Sequence, residues 1–138
     1  MPTATELNIQ MDDRPGTLGT CCRALADRGV NILAFQASGD ERRSQVRIIV
    51  DNLATAKSVL GAEGSVYQET EVAQTALANQ PGELGRAASR LGEAKININY
   101  AYGGVDPSTN TPLVFFGVPE VARAAKILDQ GAASAARR

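Results

Sequence analysis

The chain has 138 residues, 43% of them hydrophobic, with 14 basic and 15 acidic side chains and a formal charge of -1. That apolar share supports a packed core, and the balanced charge gives no electrostatic case for a nucleic-acid partner. Histidine is absent from the sequence, which removes the commonest general base and metal ligand together with Ser-His-Asp and Cys-His chemistry.

Leu7, Ile9 and Met11 alternate with Asn8 and Gln10, the period of a half-buried strand. Pro15-Gly16 breaks that strand, and Pro15 suits the first helical turn, where its missing N–H costs nothing. Leu18, Cys21 or Cys22, and Leu25 then recur at helical spacing, with Gly29 as the residue past the helix end. Residues 30–38 read as a second strand, Gly39-Asp40 as a turn, and Val46, Ile48 and Val50 as a third strand. Leu53, Ala56, Val59 and Leu60 predict a short helix that stops at Gly61. One extended segment spans residues 66–77, and Pro81-Gly82 opens a helix carrying Leu84, Ala87, Ala88 and Leu91. Residues 96–102 form the next strand, after which Gly103-Gly104 and the loop 106–112 turn the chain. A strand over 113–118 and a helix over 121–128 follow. The tail, 129–138, lacks the β-branched and aromatic residues of a strand, so a final strand is expected to be weak or missing.

A constant offset of 66 residues carries Pro15-Gly16 onto Pro81-Gly82, Leu18-Gly19 onto Leu84-Gly85, and Asn31-Ile32 onto Asn97-Ile98. The chain therefore reads as two copies of one strand-helix-strand-strand-helix-strand module, residues 1–69 and 70–138. A module of this size buries little core alone. The expected fold is α+β, with two ferredoxin-like βαββαβ modules side by side, one continuous antiparallel sheet, and helices on one face.

DDRPGTLGTCCRALADRGVNILAF resembles the ACT domain, a small-molecule regulatory module, and ALANQPGELGRAASRLGEAKININYAY is similar to it as well. The layout resembles stand-alone tandem ACT proteins. The resemblance implies amino-acid binding at the interface between modules. In copy one it points to Asp13, Arg14, Pro15, Gly16, Thr17 and Leu18 at the helix entrance, with Asn31 and Ile32 opening the second strand. In copy two it points to Asn79, Pro81, Gly82, Glu83 and Leu84, with Asn97 and Ile98. The chemistry of these residues suits a zwitterion. A helix start offers unpaired N–H groups and a positive dipole end to a carboxylate. Asp13, or the amide oxygens of Asn31, Asn79 and Asn97, can accept from an α-ammonium.

Each feature also has a purely structural reading. Asp13 and Asn79 are good N-caps or turn formers, and Asn31 and Asn97 suit a left-handed residue between helix and strand. Cys21 and Cys22 align with Ala87 and Ala88, which favours packing over reactivity. Tyr100 and Tyr102 share one sheet face and either floor a pocket or fill space. No metal, cofactor or membrane span is expected, and neighbouring cysteines without a disulfide pattern point to a cytoplasmic protein. The function expected is non-catalytic amino-acid sensing as a homo-oligomer with a partner enzyme. The alternative is a ligand-free oligomerisation module. An enzyme or an RNA-binding protein fits less well, for want of catalytic constellations and RNP aromatics.

Overall fold

The structure, a computed structural model, describes residues 3–40 and 43–136. Its elements are β1 (Thr3–Asp12), α1 (Thr17–Asp27), β2 (Ile32–Asp40), β3 (Arg43–Val50), α2 (Leu53–Ala62), β4 (Val66–Ala76), α3 (Glu83–Glu93), β5 (Tyr100–Asp106), β6 (Thr111–Gly117) and α4 (Val121–Ala136). Two compact units divide the chain. One is Thr5–Thr70; the other begins at Glu71 and also takes in Thr3 and Ala4.

In the Thr5–Thr70 unit, β3 lies between β1 and β2 and pairs antiparallel with both, Ile9 facing Val46 and Leu7 facing Ile48 across the first ladder. Strand alternation puts those four side chains on one face. They form a single core with Leu25 of α1 and Ala56, Val59 and Leu60 of α2, so both helices cover that face. The other face is mixed: Ala34 and Ile49 are buried on it, while Arg47 lies 3.8 Å from the buried Glu6 and donates to Gln36 Oε1 at 2.8 Å. In α1 the chain leaves the helix through Gly29 at φ 75, with Val30 N–H bonded to Leu25 O and Gly29 N–H to Ala26 O. This is the Schellman arrangement, and it requires a left-handed residue at that point. Helix α2 runs through Gly61, where the sequence predicted its end, and stops at Gly64 by the same device, with Ser65 N–H donating to Leu60 O.

In the second unit the order is the same, with β6 between β4 and β5. Ala73, Val114 and Phe116 meet Ala87 and Leu91 of α3 and Ala124 and Leu128 of α4 in one core. Strand β5 starts four residues later than the sequence suggested, and Gly103-Gly104 sit inside it. The turn lies at residues 107–110, inside the predicted loop 106–112 and not at the glycines, because its chemistry is stronger there. Asp106 Oδ1 accepts from the Ser108 hydroxyl and N–H, which holds its carboxyl below the usual range, and Asn110 takes φ 57. Likewise β2 includes Gly39 and Asp40, which the sequence assigned to a turn. Tyr100 covers Gly117 on the facing strand and stacks on Tyr102 at 6.3 Å; Tyr102 stacks on Phe115 at 5.6 Å. The tyrosines are packing residues. The tail continues α4 as helix through Ala136, consistent with its alanine content, rather than making an edge strand.

Candidate ligand-binding site

The entrance to α1 is built by turn chemistry. Thr17 N–H donates to Arg14 O at 3.3 Å, closing a turn with Pro15 in second place and Gly16 in third at φ 93, ψ -13. These are the angles of a type II turn, whose third residue must have positive φ and whose second favours proline. Gly16, not Asp13, is the N-cap, and Pro15 stands ahead of the helix rather than in its first turn. Thr17 Oγ1 ties the turn down, 2.9 Å from Asp12 O and 3.1 Å from Arg14 O. The first helical bond is Thr20 N–H to Gly16 O at 3.0 Å. The N–H groups of Leu18 and Gly19 therefore have no acceptor among the described residues, and the positive end of the helix is open.

Two clefts of the Thr5–Thr70 unit flank this entrance. On the β2 side, one of about 230 Å³ brings Asp13, Arg14, Gly16, Thr17 and Leu18 together with Ser38, Gly39 and Ser44. The Asp13 carboxylate occupies the room a side chain at Gly39 would need; a Cβ there would fall 2.5 Å from Oδ2. On the α2 side, a cleft of about 630 Å³ has Ile9, Met11, Ala24, Val59 and Leu60 on its walls. Arg14 pairs with Asp12 at 3.3 Å, both well exposed, so its guanidinium is weakly held.

Asn31 and Ile32 lie elsewhere. Asp12 and Asp40 both meet Arg43 at one end of the sheet, whereas Ile32 meets Val50 at the other. Eight residue steps of strand separate those ends, about 26 Å at the usual rise. Asn31 is fixed by its backbone, its N–H donating to Asp51 Oδ1 at 2.9 Å and its carbonyl accepting from Asp51 N–H at 3.1 Å; its side chain is left exposed. Within one unit, Asp13 and Asn31 do not converge.

The second entrance has the same backbone. Glu83 N–H donates to Gln80 O at 3.4 Å, Gly82 has φ 89, ψ -9, and Arg86 N–H reaches Gly82 O at 2.9 Å. Glu83 stands where the first entrance has Thr17 and pairs with Arg86 at 3.4 Å. Leu84 is more exposed than its counterpart Leu18, 55% against 38%. Asn79, Pro81 and Gly82 are exposed, Asn97 Nδ2 donates to Asn99 Oδ1 at 3.0 Å, and Ile98 packs on the core. Neither Asn31 nor Asn97 is left-handed; Gly29 and Lys95 take that role.

This β1-turn-α1 geometry, with a Pro-Gly type II turn under an open helix start, coincides with a family match: residues 5–62 fit the sequence profile of the ACT domain. Over that segment the chain is similar to the ACT domain. The fold has solved counterparts over most of the chain. Protein BT0572 from Bacteroides thetaiotaomicron superposes with TM-score 0.82 at 21% identity, covering 94% of this chain and 88% of that one. The ligand-free regulatory subunit of aspartate kinase from Thermus thermophilus gives 0.60 at 18%, covering 94% and 96%. The corresponding subunit from Thermus flavus gives 0.57 at 17%, again covering 94% and 96%. No curated protein matches the sequence.

Around the α1 entrance, sequence reasoning missed Ser38, Gly39 and Ser44, which reach it only through the β2–β3 register. Gly39 was legible as a glycine but read as a turn. Cys21 is half-buried in the wall of the larger cleft, its thiol pushed up to about 11, chiefly by burial and then by the Cys22 and Glu63 charges. Burial raises the Cys22 thiol too. Both are poor nucleophiles at neutral pH, as packing residues should be. Among the described residues no cluster of His, Cys, Asp or Glu could hold a metal ion, and no helix is long and apolar enough to cross a membrane.

Proposed function

We propose that the protein is a non-catalytic regulatory module that binds a free amino acid at the β1–α1 entrance and, as a homo-oligomer, passes that signal to a partner enzyme. The carrying observation is the open start of α1, with the Asp13 carboxylate beside it in one small cleft. The unpaired N–H groups of Leu18 and Gly19 suit an α-carboxylate, and Asp13 suits an α-ammonium. The separation between Asp13 and Asn31 bears on how a ligand meets both. If an amino acid touches both kinds of residue, two copies of the module must share it, which is the interface arrangement the resemblance implied. The second entrance is a poorer carboxylate site, because Glu83 already places a negative charge on its helix start.

A thermal-shift screen against the standard amino acids at millimolar concentration tests this reading, since a ligand of the native state raises its melting temperature. At least one amino acid is expected to raise it, and Asp13→Ala is expected to abolish the rise. No shift with any amino acid, or a shift unchanged in Asp13→Ala, overturns the assignment.

A further inference from the structure

The groove between α3 and α4 in the second unit holds a cation that no described carboxylate answers. Its apolar wall comes from Leu77, Ala87 and Leu128, and its charged groups among the described residues are Glu83, Arg86 and Arg90. At i, i+3 and i+7 these three share one face of α3. Arg86 pairs with Glu83 at 3.4 Å, so those two cancel. Arg90, one turn further on, forms no ion pair among the described residues. Its Nε is buried and has no hydrogen-bond acceptor.

An arginine usually keeps its guanidinium in water by reaching past the apolar surface it covers. Arg90 is held against α4 instead. A Cβ at Gly131 would fall 2.4 Å from its Nε and 2.7 Å from its Cδ. Gly131 lies inside α4, followed by alanines and one serine, at a place where alanine would favour the helix more. The glycine is a notch that seats the guanidinium. A buried donor without an acceptor is costly, and here the packing fixes that donor in place.

The first unit has none of this. Thr20 and Ala24 stand where the second has Arg86 and Arg90, and α2 has 10 residues where α4 has 16. The cleft between its helices is about 630 Å³, against about 270 Å³ for the groove beside Arg90.

We infer that the α3–α4 groove binds a small aliphatic carboxylate, the anion of a short-chain acid without an α-ammonium group. The carboxylate takes the Arg90 guanidinium, whose planar fork matches it, and the hydrocarbon lies on Leu77, Ala87 and Leu128. Because Glu83 and Arg86 cancel, the groove carries one net positive charge from Arg90. A monoanion neutralises that charge and a zwitterion does not. Inorganic phosphate offers nothing to the apolar wall and brings added negative charge toward Glu83. The volume falls below that of drug-sized sites, so the acid is short.

The test is chemical-shift mapping of the full chain, at backbone amides and at the arginine Nε–H signals, with isovalerate. The comparison ligands are isovaleramide, which lacks the charge, valine, which adds an α-ammonium, and inorganic phosphate. The expected result is saturable shifts at the Arg90 Nε–H and at the Ala87, Leu128 and Gly131 amides, with isovalerate binding tightest. Arg90→Gln should weaken isovalerate about tenfold or more. Gly131→Ala keeps every charge but displaces the guanidinium; it should weaken binding too, and it stands in should Arg90→Gln not fold. These signals are distinct from the Leu18 and Gly19 amides that report on the amino-acid site, so the two readings fail separately. Absence of groove shifts overturns the inference, as does equal or tighter groove binding by any comparison ligand, or undiminished binding in either folded variant.

Discussion

The two helix entrances share a backbone and differ in charge. Gly16 and Gly82 hold nearly the same angles, φ 93 and 89, and the bonds that close each turn correspond one to one. At the first entrance the helix start faces Asp13, Thr17 and open clefts. At the second it faces its own Glu83, tied to Arg86, and the neighbouring groove is narrowed by Arg90. The turn is a structural device that both units need. Ligand chemistry depends on what surrounds it, and only the first entrance leaves its positive end unanswered.

The strongest way to break that comparison is at the turns. Gly16→Ala and Gly82→Ala each force a Cβ into the left-handed region, and each is expected to cost about 1–2 kcal/mol in chemical denaturation. If the comparison holds, only Gly16→Ala also removes the amino-acid-induced thermal shift. Equal loss of the shift in both variants would make the second entrance a working site.

A smaller effect is expected at the helix exits. Gly29 and Lys95 occupy matching left-handed positions, at φ 75 and 62, but only the first is glycine. Lys95→Gly should therefore raise stability by about 0.5–1 kcal/mol, read as a higher denaturation midpoint. An unchanged or lowered midpoint would show that Lys95 carries no strain there.

The smallest effect concerns Cys21, for which the second unit has Ala87. Its thiol pKa is raised from 9.0 to about 11, so the folded state holds the proton more tightly than the unfolded chain. Its contribution to stability is fully present below pH 9.0 and is lost as pH rises through about 11. Cys21→Ala should flatten the fall in melting temperature across that window. A slope identical to that of the unmodified protein would mean that another group titrates there.

Much of the fold was legible in the sequence. The alternation of Leu7, Ile9 and Met11 and the helical spacing of Leu84, Ala87, Ala88 and Leu91 placed a strand and a helix, because burial follows those periods directly. Boundaries at Gly61, Gly103-Gly104 and Gly39-Asp40 were not, because a glycine permits a turn without requiring one. The turn chemistry of Asp106, Ser108 and Asn110 decided where the chain reversed. At the site, the entrance residues Asp13 to Leu18 could be named in advance; Ser38, Gly39 and Ser44 could not, since only strand register brings them to Asp13.

The sequence by itself determined the periodic elements, the repeated Pro-Gly entrances and the absence of histidine chemistry, all of which depend on local spacing or composition. Tertiary structure alone decided that Asp13 and Asn31 stand at opposite ends of one sheet, and that short side chains on α1 leave a cleft where Arg90 narrows its counterpart. Those outcomes depend on the distance between residues far apart in the chain, which is fixed by strand pairing and helix packing rather than by any local pattern.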